Sequence, residues 1–530
     1  MTTRKKRTSG GFSRREFLGT MGTVAWSASS FGALPLLQPA QQSQHSGRRF
    51  VLREDRFGRM FTRLPPFAEP SPELEAALLD IGKAGGILDA KDALERGPVD
   101  LIVDPLLSAN NPNSGAHTAG TTFVGQFIDH DLTFDLTSRL GEPTEPLDSP
   151  NARTPAFDLD SVYGGGPVAD PVLYERAGRR GGFPTKLRIQ GGGLFEDLPR
   201  NSDGTAIIAD PRNDENMMIA GLQAAFILFH NKAVDWVQSN SRGLSSSDVF
   251  RRARRLTTWH YQWIVIHEIL PLFVGQRLID RMQRDGLKFY RPPVAFIPVE
   301  FQGAAYRFGH TMVRPSYRAN LAGDNGAAFF GMIFDPAGEG QADPVDLRGG
   351  ARTRRRFIGW QTFFDFGDGE MRPNKAIDTK ISTPLFHLPL GTIPSQSPPT
   401  SLPQRNLLRH VTWELPSGQS IARHMGVPAL SAGDLSELSS YGLGLEQSTP
   451  LWYYILKEGE VMEGGRQLGP VGGRIVAEVL LGLLKLDENS YYSERRWRPT
   501  LPTRSGQVTG DFRMTDFLTF AGVDPATRGQ

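Results

Sequence analysis

Residues 125–136 read GQFIDHDLTFDL, an apolar run that carries three aspartates, a histidine and a glutamine. Charged groups of this kind resist burial unless they are paired or bind something. On a helix Gln126 and His130 lie four residues apart on one face, with Asp129 beside them. Asp131 falls about 100° further round the axis. The segment therefore offers Gln126, Asp129 and His130 to one pocket and Asp131 to another. A lone His on an apolar helix is most often a satisfied core residue, but this spacing of polar groups is harder to read that way.

Asp131 needs partners. Residues 154–161 read TPAFDLDS, in which Thr154, Ala156, Asp158 and Asp160 alternate along an extended loop. Carboxylates, a hydroxyl and a carbonyl suit Ca²⁺, a hard cation with six to eight oxygen ligands. The bland alternative is an Asx-turn loop, and Asp131 tips the balance to calcium. The first pocket needs a partner for His130. YRFGHTMVRP (306–315) sets His310 behind Gly309 in an apolar frame, with room for a flat ring, as in His ligation of haem iron. Taken alone, that segment reads equally as a buried structural His. DPRNDEN (210–216) places Arg212 just before a helix and Glu215 in its first turn, where a carboxylate is favoured. It reads either as a plain cap with a surface Arg or as a turn that brings Arg212 to His130.

The elements that must hold these groups are mostly helical. Apolar spacing predicts helices over 71–86, 118–136, 214–239, 246–273, 304–317 and 471–487, with shorter ones at GQSIARHMG and TPLWYYILKEGE. Residues 104–116 and 138–212 read as loop, and strands are few and short. Loops this long in a compact protein usually serve a site.

The chain has 530 residues, 39% apolar and 22% charged, which is a globular composition. It has no cysteine. Disulfides, thiolate metal sites and a Cys nucleophile are excluded, so metal chemistry falls to His, carboxylates and carbonyls. RKKR (4–7) and SRREFLG (13–19) precede a weakly apolar stretch to Leu37. This pattern, with Arg14–Arg15 as the pair, is the twin-arginine export signal, and its Gly, Ser and Pro content makes a poor membrane span. Residues 1–40 hold six of the 59 Lys and Arg and one of the 57 Asp and Glu, which leaves 53 against 56, a net of −3. The expected mature chain is periplasmic or secreted, has no transmembrane segment, and shows no global signal for nucleic acid. The expected organisation is a signal at 1–40, an irregular lead-in at 41–75 and one large domain at 76–525.

Taken in order, the motifs resemble the animal-type haem peroxidases of the peroxidase–cyclooxygenase superfamily, in a bacterial secreted form. Gln126, Asp129, His130 and Asp131 match the distal signature. TPAFDLDSVYG (154–164) matches the calcium loop, Arg212 and Glu215 the Arg-x-x-Glu motif, RFGHT (307–311) the proximal motif, and NLLR (406–409), followed by LPSGQSIAR, a later one. The resemblance covers roughly residues 50–525. It implies a mainly α, single haem-peroxidase domain with long loops and few short strands. It implies haem b with His310 on the iron, Asn406 accepting the other ring N–H, Arg307 at a propionate and Arg409 among the cofactor-binding residues. His130 would be the acid–base group, Arg212 the charge stabiliser, and Gln126 would border a halide or water. Asp129 and Glu215 match positions of ester bonds to haem, and Asp131, Thr154, Ala156, Asp158 and Asp160 match calcium ligands. The implied reaction reduces hydrogen peroxide and oxidises a halide, a pseudohalide or a small organic donor. Asn216 stands where one branch has a Met that links to haem, which points away from chloride. HVTWE (410–414) departs from the family pattern after NLLR. Other readings are a haem fatty-acid dioxygenase, whose radical Tyr three residues before the proximal His is replaced by Arg307 with Tyr306 one place off, and a non-catalytic calcium-binding adhesion protein. Zinc hydrolysis through His260 and His267 lacks the His-Glu-x-x-His spacing, and the basic ARTRRRF (351–357) reads as packing and solvated surface.

Overall fold

The computed structural model describes residues 55–176, 182–191, 195–324, 326–494 and 496–528. The expected export signal and residues 41–54 lie outside the described residues. The remainder of the expected lead-in belongs to the folded body. Phe57, Phe61 and Phe67 are buried in the main core, Phe57–Gly58 pairs in parallel with Ile297–Pro298, and the buried Glu300 carboxylate accepts from the amides of Met60 and Phe61, both at 2.9 Å.

The architecture is helical, with three two-stranded sheets among the described residues. Helix α1 (Pro72–Ile81) is capped by Ser71, whose hydroxyl accepts from the Leu74 amide at 3.1 Å, and it buries Leu74, Ala77, Leu78 and Ile81 at helical spacing. It stops at Gly82, short of the Gly85–Gly86 expected from sequence. A Cβ at Gly82 would lie 2.6 Å from the Gln404 amide, so the backbones cross too closely for another side chain. Helix α2 (Ala119–Leu132) and α3 (Met217–Asn240) cross in the core, where Phe127 stacks on Phe226 at 4.3 Å. Helix α3 also packs on α4 (Ser246–Ile264) and on the late helix Met514–Ala521, where Phe229 stacks on Phe517 at 4.2 Å.

The helix expected over 246–273 runs to Val274, past Pro271, through a π-turn at Val265–Ile269. Pro271 has no N–H to give the His267 carbonyl four residues earlier. Arg513 fills the gap, its Nη1 donating to that carbonyl at 2.9 Å. The loop expected at 104–116 contains a 3₁₀ turn and the strand Asn113–Thr118. The helix expected over 304–317 is not formed. Its first half is a 3₁₀ turn, Ala305–His310, and Ser316 opens a strand, Ser316–Asp324, paired antiparallel with Ala327–Met332. Pro315 drives the switch, since the residue before a proline is pushed to extended backbone. Three further helices, α5 (Leu402–Thr412), α6 (Leu451–Glu463) and α7 (Pro470–Leu486), complete the frame. The basic segment does not form a charged surface throughout. Arg356 is buried and donates to the carbonyls of Pro344 and Asp346, each at 2.8 Å.

Candidate active site

Helix α2, the turn before α3, the 3₁₀ turn Ala305–His310 and α5 enclose one cavity of about 260 Å³. Gln126, Asp129, His130, Arg212, Glu215, Arg307, His310 and Arg409 all line it. These residues come from four separate segments, and the fold brings them to one cavity.

His130 is buried, and its Nδ1 lies 2.8 Å from Asn213 Oδ1. An amide oxygen only accepts, so Nδ1 carries the proton and Nε2 holds a lone pair. Burial, then the Arg212 charge, pushes the imidazole down to about 3, which keeps it neutral. Its Nε2 lies 3.9 Å from Glu215 Oε1. Arg212 reaches His130 at the backbone rather than at the ring. Its Nη2 donates to the carbonyls of His130 at 3.1 Å and Thr133 at 2.7 Å. Nε and Nη2 also pair with Asp210, and the guanidinium lies 4.0 Å above the Phe134 ring. Burial works against the Asp210 charge, yet Arg153 and Arg212 hold its carboxyl well below the usual range.

Gln126 is clamped at both ends of its amide. Its Nε2 donates to Glu215, and its Oε1 accepts from Asn216 Nδ2 at 3.3 Å. Burial pushes Glu215 up to about 8 and raises Asp129 as well. The turn carrying Arg212 to Glu215 is fixed from outside. The Gly349 amide donates to the Glu215 carbonyl at 3.0 Å, and the Met217 amide to Leu347 at 2.9 Å. A Cβ on Gly349 would lie 1.4 Å from the Asp214 carbonyl oxygen, so only glycine fits there.

Across the cavity His310 closes the 3₁₀ turn, and burial, then Arg307, pushes it down to about 3. Asn406 of α5 meets its Nδ1 at 2.8 Å with the amide nitrogen, while the amide oxygen accepts from Arg307 Nη1 at 3.3 Å. The expected pairing of Asn406 with His310 is present, but the amide faces the other way. The Arg307 guanidinium, which can only donate, draws the oxygen to itself. A half-turn of this amide would put its oxygen on an Nδ1–H.

Arg409, expected among the cofactor-binding residues, lines the cavity and pairs with Asp135 and Ser138. Arg405, one turn earlier on α5, was not singled out from sequence. It lines the cavity, donates to the carbonyls of Ser397 and Pro399 at 3.0 Å each, and is pushed down to about 10 by burial and then by Arg409. Asn213 and Gln223 were also missed. Gly309 faces open space, with nothing within 4 Å of an added Cβ. Tyr306 lines the cavity with its hydroxyl unpartnered among the described residues.

Behind α2, one oxygen each of Asp131, Asp158 and Asp160 lies within 4.8 Å of the others. Burial, then Asp158 and Asp160, raises Asp131 well above its usual value. Thr154 gives its amide and hydroxyl to Asp160 at 2.8 and 2.9 Å, and Ala156 sits in the same loop, whose Leu159 holds a left-handed φ of 59°. His260 and His267 do not converge on a metal. His260 bonds the Leu256 carbonyl and the Thr500 amide, and His267 stacks on Trp263 at 3.8 Å.

Residues 137–328 match the family described as animal haem peroxidase. The chain is 31% identical over 111 residues, 21% of its length, to the dual oxidase of Drosophila melanogaster. It spans only 7% of that protein and a small part of the other curated relatives it matches. In fold it is similar to peroxidase A of Dictyostelium discoideum, with a TM-score of 0.57 and 15% identity over 88% of this chain and 94% of that one. It is also similar to the fatty acid alpha-dioxygenase of Arabidopsis thaliana, with a TM-score of 0.54 and 16% identity over 82% of this chain and 73% of that one. The matched segment and the helical fold are thus similar to those of haem peroxidases and of a fatty acid alpha-dioxygenase. Residues 137–328 are the part that resembles an animal haem peroxidase domain.

Proposed function

We propose that the protein is a haem-dependent peroxidase that reduces hydrogen peroxide and oxidises a halide, a pseudohalide or a small organic donor. One observation carries this reading: two neutral imidazoles from distant segments, His130 and His310, line the same cavity. The residues fit a haem. His310 offers an imidazole beside the open space at Gly309, and Phe273, Phe308 and Leu385 supply apolar wall. Arg307 and Arg405 are cavity guanidiniums with no carboxylate in salt-bridge reach among the described residues, two cations for two propionates.

Haem, when bound at His310, supplies the iron whose oxidation drives cleavage of the peroxide O–O bond. His130 takes the peroxide proton at Nε2 and returns it to the departing oxygen, which leaves as water. Arg212 offers positive charge to that oxygen while Asp210 holds the guanidinium in place. Gln126 borders the same space, fixed by Glu215 and Asn216. In this reading Asp129 and Glu215 would form ester bonds to haem methyl groups, as the resemblance implies. Each bond would consume one peroxide as a two-electron oxidant and release two waters, and haem that stays with denatured protein is its readout. Asp131, Thr154, Ala156, Asp158 and Asp160 bind Ca²⁺ in this reading, which removes the repulsion among the carboxylates. Residues 1–40 direct twin-arginine export, and an Arg14→Lys, Arg15→Lys variant should stay in the cytoplasm.

An optical spectrum of pure protein tests the reading. A Soret band that shifts on adding peroxide, and fails to shift in His130→Ala, is the expected result; a protein that binds no haem overturns it. A second reading, fatty-acid dioxygenation, is favoured by the Tyr306 hydroxyl at the cavity. Oxygen uptake with a fatty acid and no peroxide would select it.

A further inference from the structure

We infer that Asn213 is a positioning residue that fixes the tautomer of His130, and that Gln223 fixes Asn213 in turn. The inference rests on His130 being the proton-transfer group of the proposed function. A neutral imidazole has two tautomers, and only the one with Nδ1 protonated leaves Nε2 able to accept from peroxide. His130 Nδ1–H has one acceptor, Asn213 Oδ1, at 2.8 Å. A primary amide can turn over at little steric cost and would then present N–H₂ to the ring, favouring the wrong tautomer. Gln223 prevents that. Its Oε1 accepts from Asn213 Nδ2 at 2.9 Å, so a turned Asn213 would set oxygen against oxygen.

Both amides are buried, with exposures of 0% for Asn213 and 1% for Gln223. Water is therefore a poor substitute for either partner. The placement is also economical. Asn213 follows Arg212 in one 3₁₀ turn, Pro211–Asp214. Arg212 takes the His130 carbonyl while Asn213 takes the His130 ring, so one turn grips the same residue at both ends. Gln223 stands two helical turns into α3, whose start is capped by Asn216. Rotation of α3 would thus be felt at the His130 ring.

The test compares the full haem-loaded chain with His130→Ala, Asn213→Leu, Gln223→Leu and Gln223→Glu, mixing each with hydrogen peroxide in stopped flow. Asn213→Leu should slow the peroxide step by about tenfold or more, with haem content and the resting spectrum kept. The later oxidation of donor, which needs no proton accepted at Nε2, should hold its rate. Gln223→Leu should slow the peroxide step less. Gln223→Glu should recover most of that loss, because a carboxylate only accepts and holds Asn213 in the same orientation. If Asn213→Leu fails to take up haem, the contrast of Gln223→Leu with Gln223→Glu decides. Equal losses in both Gln223 variants, or a full rate in Asn213→Leu beside a slow His130→Ala, overturn the inference. A full rate in His130→Ala overturns the peroxidase reading beneath it.

Discussion

The cavity histidines and the core histidines differ in how their ring nitrogens are used. His230 is held by Tyr163 at 3.0 Å and the Thr185 carbonyl at 2.8 Å. His410 meets the Asn406 carbonyl at 3.0 Å and accepts from the Trp452 amide at 2.8 Å. His260 likewise meets the Leu256 carbonyl at 2.7 Å and accepts from the Thr500 amide at 3.2 Å. In each of these three, both nitrogens have protein partners. His130 and His310 have a protein partner on Nδ1, and Nε2 has no hydrogen bond to protein among the described residues. All five are neutralised by burial, so a lowered pKa does not separate the two groups. Among these five the uncommitted nitrogen does, because it faces the cavity. Buried His117, which does not line the cavity, also leaves Nδ1 unpartnered among the described residues, so the free nitrogen marks the site only together with the cavity.

The largest expected effect falls on that nitrogen. His130→Ala should slow the peroxide step about 100- to 10,000-fold, measured by stopped flow, and this loss of rate is its dominant effect. His410→Ala should do the reverse, keeping the haem spectrum but losing about 1–3 kcal/mol in denaturant unfolding, since the Trp452 amide is left buried without an acceptor. A large peroxide defect in His410→Ala would break the comparison. Gly349→Ala should fall between the two. Its Cβ would displace the Asp214 carbonyl, so both the stability and the peroxide rate should drop through the turn that carries Arg212.

Removing Ca²⁺ with a chelator should lower the unfolding midpoint, and Asp131→Asn should abolish the difference. At a free cation level 100 times the Kd the linkage is about 2.7 kcal/mol. The smallest effect is on acid stability. Burial lowers His230, His260 and His410 to about 4 from the usual 6.5, so the fold favours their neutral forms. Their contribution is complete above about pH 6.5 and is lost as pH falls toward 4. Denaturant midpoints across that window should fall, and His410→Gln, which cannot titrate, should reduce the slope.

Much of the site was legible because its residues sit in short local patterns. Gln126, Asp129 and His130 share a helical face, Arg212 and Glu215 flank a helix start, and the cavity gathers them with His310. Helix periodicity placed α2, α3 and α7 well. Proline and glycine punctuation was read less well: Pro315 turned a helix into a strand, and Pro271 did not end one. Asn213, Gln223, Arg405 and Gly349 carried no usable pattern. An Asn beside an Arg in a turn has many uses, and only the ring it faces shows which one applies. The orientation of Asn406 depends on Arg307, a competitor visible only in three dimensions.

The bond from Arg513 to the His267 carbonyl spans 246 residues of sequence. Close by, the Trp263 ring N–H meets Asp511 at 3.0 Å and the Met514 amide meets Glu268 at 2.7 Å. The irregular turn in the middle of the protein is thus sealed by a segment synthesised long after it. The central helix lacks these partners until residues 511–514 have been made, and a chain cut before residue 511 should give a lower soluble yield on expression than the full chain.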